Sequence, residues 1–132
     1  MTDQIFSLIE QEYQRQLDKV GLIPSENTVS PQVSEVLSSC LSNKYSEGYS
    51  NRRYYEGNQI IDQVELLAIE RVKKLFSVPY VNVQPYSGSP ANSAIQFALL
   101  QPGDTLMGLK LTMGGHLTHG HPDVTFSGKY YN

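Results

Sequence analysis

Residues 80–100 constrain the fold of this chain more than any other stretch, because they predict a strand, a turn and a helix in succession. The strand is predicted over 80–83 (YVNV), where tyrosine and valine favour extended backbone. Pro85 then removes a hydrogen-bond donor, and Gly88 permits positive φ, so the strand must break there. A strand that leads directly into a helix is typical of α/β domains with a parallel sheet.

The turn before the helix is itself a candidate binding site. Ser89 predicts an N-cap with Pro90 at the first helical position, followed by a largely apolar helix over 91–100. Ser87, Gly88 and Ser89 would then place two hydroxyls and several unbonded N–H groups at a helix N-terminus, where phosphate or carboxylate binds well. An ordinary connection with a good cap has the same local pattern, so both interpretations stay open on these residues alone.

The other elements follow from hydrophobic spacing and from turn residues. The pattern predicts an amphipathic helix over 3–20, a short helix after Ser30-Pro31 with Cys40 as a small core residue, a long helix over Gln59–Phe76 capped by Asn58, a second strand over Thr105–Leu109, and a further strand and turn over 124–132. Strands that alternate with helices predict an α/β fold.

Composition narrows the class of protein. The 132 residues suit one domain, and the 17% of charged residues is below the usual quarter, which indicates that much of the surface faces other protein. A net charge of −3 argues against nucleic acid or an anionic membrane as partner. Cys40 is the single cysteine, and no secretory leader or membrane-spanning run is predicted, so we expect a cytoplasmic protein.

Residues 42–58 (SNKYSEGYSNRRYYEGN) concentrate tyrosines and arginines in a segment with no clean period. Such a mixture is typical of buried polar sites and of interfaces, where the ring packs and the hydroxyl finds a partner. A surface loop with incidental aromatic residues is the alternative. Either Arg52 or Arg53 could pair with Glu47 in this segment.

Residues 113–122 hold all three histidines in a glycine-rich loop. The histidine spacing does not fit one helix face and no cysteine lies nearby, so no metal site is predicted. The preferred interpretation is that the glycines let the backbone approach a flat ligand while one imidazole stacks on it.

Taken together, these motifs resemble the serine hydroxymethyltransferase family, whose members are fold-type I enzymes dependent on pyridoxal phosphate. The resemblance rests on co-linear motifs across the chain: PSEN at 24–27, NKYSEGY at 43–49, RRYYEGN at 52–58, NVQPYSGSPAN at 82–92, PGDT at 102–105, GGHLTHG at 114–120 and FSGKYYN at 126–132. It implies a helical arm and interface segment over 1–50. It also implies the beginning of an aspartate-aminotransferase-like large domain over 51–132, which would be incomplete.

The resemblance also implies roles for individual residues. The cofactor phosphate would be held by Ser87, Gly88 and Ser89, with His116 stacked on the cofactor ring and Tyr45 as a further cofactor contact. The substrate amino acid would meet Ser25 and Tyr55, and the residues assigned to catalysis are Glu47, Tyr55 and His116. The folate site would be formed by Glu47, Tyr54, Leu111, Gly114, Gly115 and Leu117. Tyr45, Glu47 and Tyr55 would enter the active site of a neighbouring subunit in a dimer or tetramer.

Departures from the family pattern lie beside these residues rather than on them. They are Ser50-Asn51, Glu56, Tyr86, Pro90 and Met113. The larger departure is length, because the family's cofactor-binding lysine, its ring-pairing aspartate and its carboxylate-binding arginine would lie beyond Asn132. The isolated chain is therefore predicted to be an inactive amino-terminal fragment.

Two classes of function remain open at this point. The first is an enzyme that interconverts serine and glycine, with tetrahydrofolate as one-carbon acceptor. The second is a truncated, non-catalytic module that binds a partner subunit or a phosphate ligand.

Overall fold

The computed structural model of the protein describes residues 3–132. Its elements in chain order are α1 (Gln4–Asp18), α2 (Pro31–Leu37), a 3-10 turn (Cys40–Asn43), β1 (Gly48–Tyr49), β2 (Arg52–Arg53), α3 (Gln59–Phe76), α4 (Gly88–Leu99), a second 3-10 turn (Leu111–Met113) and α5 (Phe126–Tyr130). They form two compact units, which meet in the sequence after Tyr45. The predicted arm over 1–50 includes residues 1 and 2, which lie outside the described residues, and its boundary with a large domain stays a prediction.

The first unit is helical, and its two helices begin where the sequence predicts. Asp3 caps α1, since its carboxylate accepts the N–H of Ile5 at 3.0 Å. Ser30 caps α2 by accepting the N–H of Val33 at 3.3 Å, with Pro31 at the first helical position, so that prediction is confirmed.

A two-stranded antiparallel hairpin opens the second unit. Gly48 pairs with Arg53 and Tyr49 with Arg52, so Ser50 and Asn51 form the loop. Asn51 has φ of 64°, a left-handed conformation that asparagine tolerates better than most residues. The hairpin brings the residues before and after it side by side, and the N–H of Tyr54 donates to the carbonyl of Glu47 at 3.1 Å.

The long helix α3 has the predicted bounds. Asn58 occupies its cap position, but its side chain makes no cap hydrogen bond. The amide nitrogen of Asn58 donates instead to the carbonyl of Tyr55 at 2.8 Å, which secures the end of the tyrosine-rich segment. The helix ends at Ser77, whose φ of 53° is left-handed.

Helix α4 begins earlier than predicted. Ser87 is its N-cap and Gly88 its first residue, so the assignment of Ser89 as cap and Pro90 as first residue is wrong. Proline fits equally well at the third position, because the first N–H groups of a helix have no intrahelical acceptor in any case. Gly88 is helical and does not adopt the positive φ that the sequence suggested.

The predicted strands are wrong for the described residues. Residues 80–83 and 105–109 belong to no strand, and most of the third predicted strand is replaced by α5. β-Propensity reports how well a segment suits a sheet, whereas a ladder also needs a neighbour. One parallel contact does form: Asn132 donates its N–H to the carbonyl of Asp104 at 2.8 Å and accepts the N–H of Leu106 at 2.7 Å, on either side of Thr105.

Apolar side chains remain largely uncovered throughout the described residues. Tyr131, which is 6% exposed, is the buried hydrophobic residue among them. The side of α3 predicted to face inward includes Val64 and Leu67, both more than 40% exposed. Cys40 is also exposed, so its prediction as a core residue is wrong for this structure. None of the described helices is both long and apolar enough to cross a membrane.

Candidate active site

The N-terminus of α4 presents hydrogen-bond donors with no acceptor among residues 3–132. The N–H groups of Gly88 and Ser89 lie in the first turn, and no described residue accepts from them. The first backbone bond of the helix runs from Ala91 N–H to the Ser87 carbonyl at 3.2 Å. The hydroxyl of Ser87 makes no capping bond, and both serines are exposed. Two N–H groups and two hydroxyls are therefore available to an anion.

The surroundings of Gly88 are open. A Cβ placed on this residue meets no described atom within 4 Å, and the backbone there is ordinary helix. The described part of the chain therefore does not require glycine at this position. A ligand that approaches the backbone closely would require glycine at this position.

Two glycines shape the loop before His116, for different reasons. Gly114 has φ of 93°, a conformation that side chains rarely adopt. A Cβ on Gly115 would collide with the carbonyl oxygen of Leu109, because the Gly115 N–H bonds to the adjacent carbonyl of Lys110 at 3.0 Å. The chain folds back on itself here, and His116 emerges from the turn with an exposed side chain.

Thr118 joins this loop to α4. The amide nitrogen of Asn92 donates to the Thr118 hydroxyl at 2.7 Å, and that of Gln96 donates to the Thr118 carbonyl at 2.7 Å. Asn92 and Gln96 are four residues apart and so lie on one face of the helix. From the other side, the buried hydroxyl of Ser127 also donates to the Thr118 carbonyl, at 3.0 Å.

The imidazole of His116 is held by the same threonine. Its Nδ1 lies 2.7 Å from the Thr118 hydroxyl and accepts the Thr118 N–H at 3.2 Å. The ring of His119 lies 5.6 Å away, centroid to centroid, and is tilted rather than stacked. No group of three histidine, cysteine or acidic side chains within residues 3–132 is placed to hold a metal ion.

The hairpin carries Glu47, Tyr54 and Tyr55 on its flanks, and Arg53 fixes it to α3. The guanidinium donates from Nε to Asp62 at 2.8 Å and from Nη2 to Glu65 at 3.0 Å. Its Nη1 donates to the carbonyls of Ser46 and Gly48, at 2.8 and 2.7 Å. The Arg53 side chain is 5% exposed, so it is enclosed by these acceptors.

Arg53 therefore does not pair with Glu47, and no ion pair in the described residues includes Arg52 or Glu47. Glu47 is exposed instead of being enclosed by the neighbouring tyrosines. Arg53 stabilises the hairpin, and the carboxylate of Glu47, to which the resemblance assigns proton transfer, takes no part in the ion pairs of Arg53.

The two carboxylates beside Arg53 are biased toward their charged forms. The pKa of Asp62 is lowered, first by the N–H of Asn51, which donates to it at 2.9 Å, and then by Arg53. For Glu65, burial raises the pKa, but hydrogen bonds from Gln84, Arg53 and Ser50 together outweigh it and lower the pKa overall. Asp62 in turn raises the pKa of Arg53, so the cluster stays ionised.

Gln84 connects this cluster to the approach to α4. Its amide nitrogen donates to the Gly48 carbonyl at 2.9 Å and to Glu65 at 3.2 Å. The segment that ends in the Ser87 turn is thereby tied to the hairpin and to α3. Glu47, Tyr54, Tyr55, Ser87 and His116 thus all stand on elements of one hydrogen-bonded unit.

The remaining predicted site residues belong to both units. Ser25 and Tyr45 belong to the first unit, where both are exposed. Leu111 and Leu117 flank the glycine turn within the second unit and remain partly or largely exposed. The roles assigned to all of these residues stay predictions.

Sequence reasoning missed the residues that hold the site in place. Asn92, Gln96 and Thr118 position the histidine loop, and Gln84 and Arg53 position the hairpin. One signal was available: Asn92 and Gln96 are polar residues at helical spacing in an otherwise apolar helix, which indicates a buried polar contact.

Comparison with known proteins identifies the family of the chain. The family model described as serine hydroxymethyltransferase matches residues 1–132, the entire sequence. The chain belongs to the serine hydroxymethyltransferase family. The resemblance inferred from the motifs is thereby confirmed.

Two similar relatives bear the same name. The serine hydroxymethyltransferase of Desulfotalea psychrophila is 60% identical over 129 residues, which cover 98% of this chain and 30% of the relative. That of Acidothermus cellulolyticus is 65% identical over 118 residues, covering 89% of this chain and 28% of the relative. The chain therefore spans less than a third of the length of these serine hydroxymethyltransferases.

Proposed function

We propose that this chain is the amino-terminal third of a serine hydroxymethyltransferase that interconverts serine and glycine, with tetrahydrofolate as one-carbon acceptor. Family membership supports the activity, and the donor-rich N-terminus of α4 is the observation that carries the site. A fold-type I large domain belongs to the same proposal, and the parallel contact around Thr105 supports it. The proposal also includes a cytoplasmic location and a dimer or tetramer with shared active sites.

The residues at the start of α4 fit the phosphate of pyridoxal phosphate. Ser87 and Ser89 would donate their hydroxyls, and the N–H groups of Gly88 and Ser89 would point at the same oxygens. The helix dipole favours a negative charge at this end. When bound, pyridoxal phosphate would supply an electron sink for bond cleavage at the substrate α-carbon.

The remaining residues would bind, orient and move protons. His116 would cover one face of the cofactor ring, and Glu47 would act on the proton of the substrate hydroxyl. Tyr45, Ser25 and Tyr55 would complete the cofactor and amino acid contacts, and Tyr54, Leu111, Gly114, Gly115 and Leu117 would line the folate site.

Substitution of Ser87 tests the phosphate site without disturbing the helix. Since the Ser87 hydroxyl makes no capping bond, Ser87→Ala removes a ligand contact and no bond within the protein. We expect the longer protein that contains this chain to bind pyridoxal phosphate about ten- to a hundredfold more weakly, the effect of one hydrogen bond to a charged group. Titration followed by the absorbance of the cofactor measures this.

Ser93→Ala is the matched control, because Ser93 lies on the same helix and its side chain makes no hydrogen bond within the described residues. Unchanged affinity in Ser87→Ala, or equal losses in both variants, would contradict the phosphate assignment.

The competing function is a non-catalytic module that binds a subunit or a phosphate ligand. The coding sequence beyond Asn132 separates the two. An in-frame continuation with a lysine in a threonine-rich loop, and folate-dependent turnover by its product, supports the enzyme. A stop codon at that point supports the module.

A further inference from the structure

The hydroxyl of Thr118 lies between two polar groups, which together determine the acceptor of the hydroxyl hydrogen. On one side the amide nitrogen of Asn92 donates to it at 2.7 Å, and on the other Nδ1 of His116 lies at 2.7 Å. Because the hydroxyl accepts from Asn92, its own hydrogen is available to donate to Nδ1.

A second, longer contact favours the same direction. The backbone N–H of Thr118 donates to the same Nδ1 at 3.2 Å, and a backbone N–H can only donate. An Nδ1 that accepts two hydrogen bonds cannot carry a proton of its own. Neutral His116 must then carry its proton on Nε2, and no described residue accepts from that nitrogen.

We propose that Thr118, oriented by Asn92, is a positioning residue that holds His116 in the Nε2–H tautomer and fixes the plane of its ring. The anchor for this arrangement is α4, the same helix whose first turn presents Ser87 and Gly88. Asn92 is one turn from Gly88, so the ring and the anion site are set by a single rigid element.

The consequence for chemistry rests on the proposed function. The ring would lie against the ligand in one orientation, with Nε2–H directed away from the protein as a donor. Its acceptor would be an oxygen of the bound ligand, such as a carboxylate or a hydroxyl.

The test uses the longer protein that contains this chain, labelled with ¹⁵N in its histidine rings. NMR distinguishes a protonated ring nitrogen from a bare one, so it reports the tautomer directly. We expect His116 to be Nε2–H in the unaltered protein and in Thr118→Ser, which keeps the hydroxyl. In Thr118→Val, which has similar size and no hydroxyl, the tautomer ratio should shift by about two- to tenfold toward Nδ1–H.

Asn92→Asp provides a second test, in case Thr118→Val does not fold, because it should reverse the hydrogen bond between the Thr118 hydroxyl and Nδ1 of His116. A carboxylate at position 92 would accept the hydrogen of the Thr118 hydroxyl. The hydroxyl oxygen would then accept a hydrogen bond from the ring, so the population of the Nδ1–H tautomer of His116 should increase. The tautomer of His121, whose Nδ1 accepts the N–H of Asp123 at 3.4 Å, serves as the internal control and should not change. Nδ1–H in the unaltered protein, or a ratio that neither Thr118→Val nor Asn92→Asp alters, overturns the proposal.

Turnover separates this inference from the proposed function. If both hold, Thr118→Val lowers kcat for serine while Thr118→Ser restores it. A tautomer shift in a protein that has no serine–glycine activity would support the positioning role and contradict the enzyme assignment.

Discussion

Glu47 shows how a side chain can be kept out of the contacts that shape its own segment. Its carbonyl accepts from Tyr54, and the neighbouring Arg53 is committed to Asp62 and Glu65. The Glu47 carboxylate is exposed and belongs to no ion pair in the described residues. Glu47 can therefore be substituted without removing an ion pair that maintains the hairpin.

Replacement of Glu47 by glutamine tests that assignment in the longer protein. Glu47→Gln keeps the shape and most hydrogen bonding but removes the titrating group. Since general acid–base catalysis contributes roughly a hundred- to ten-thousandfold, folate-dependent turnover should fall by about that factor. Binding of pyridoxal phosphate should survive, because Ser87 and Ser89 are untouched. Steady-state kinetics and cofactor titration on the same preparation measure both quantities.

Glu56→Gln is a suitable control, because Glu56 is an exposed carboxylate near the same hairpin with no assigned role. If Glu47→Gln instead lost cofactor binding and subunit assembly together with activity, Glu47 would be a structural residue and the catalytic assignment would fail.

At the scale of elements, the hairpin and α3 depend on one enclosed arginine. Arg53 donates to two carboxylates and to two carbonyls, a fork of donors that lysine cannot reproduce. Two smaller bonds join the same hairpin to α3: the Ser50 hydroxyl donates to Glu65 at 3.1 Å, and the Asn51 N–H donates to Asp62 at 2.9 Å. The hairpin should therefore loosen when the guanidinium is replaced.

Arg53→Lys is the corresponding experiment. The ammonium keeps the charge but cannot reach all four acceptors, so amide hydrogen exchange at Tyr49 and Tyr54 should accelerate by about tenfold or more. Arg52→Lys is the matched control, since Arg52 is exposed and forms no ion pair within the described residues. Equal protection in the two variants would show that Arg53 is not what fastens the hairpin.

The same cluster predicts a dependence on pH. Asp62 and Glu65 have lowered pKa values in the folded protein, so their contribution to stability is complete above their ordinary values of 3.8 and 4.5. It is lost as the pH falls through the lowered values. In an NMR titration the Asn51 amide and the Arg53 Nε–H should keep their shifts down to about pH 4.5 and move below it. Asp62→Asn should reduce the Asn51 change, and a titration above that pH would contradict the assignment.

The long helices and the cap of α2 were predictable because their signals are local, whereas the cap of α4 was placed at Ser89 instead of Ser87. Ser30 and Pro31 mark the start of α2, and the spacing of apolar residues gives α3 its bounds. The prediction of strands at 80–83 and 105–109 was wrong, because a ladder depends on distant partners that the local sequence does not reveal. The motif at 87–89 was found from sequence, whereas Thr118 was not, since its contacts to Asn92 and His116 are made by tertiary folding.

At the scale of the whole molecule, the described residues carry more apolar surface than their own contacts cover. The exposed large hydrophobic side chains occur on every long helix and include Ile9, Leu67 and Phe97, each at least 45% exposed. Such extensive apolar exposure is characteristic of surfaces made to meet other protein. The sequence gives the same indication through its low content of charged residues.

We therefore expect the isolated 132-residue chain to lack a cooperative fold and to lack serine–glycine activity. Hydrophobic burial is the main favourable contribution to folding, and here it is too small to offset the conformational entropy of ordering the chain. Thermal unfolding followed by circular dichroism should show a broad transition, and light scattering should show association. The longer protein that contains the chain is the control and should unfold cooperatively and turn over serine with tetrahydrofolate. A monodisperse monomer with a sharp transition, or folate-dependent turnover by the purified chain free of host enzyme, would contradict this expectation.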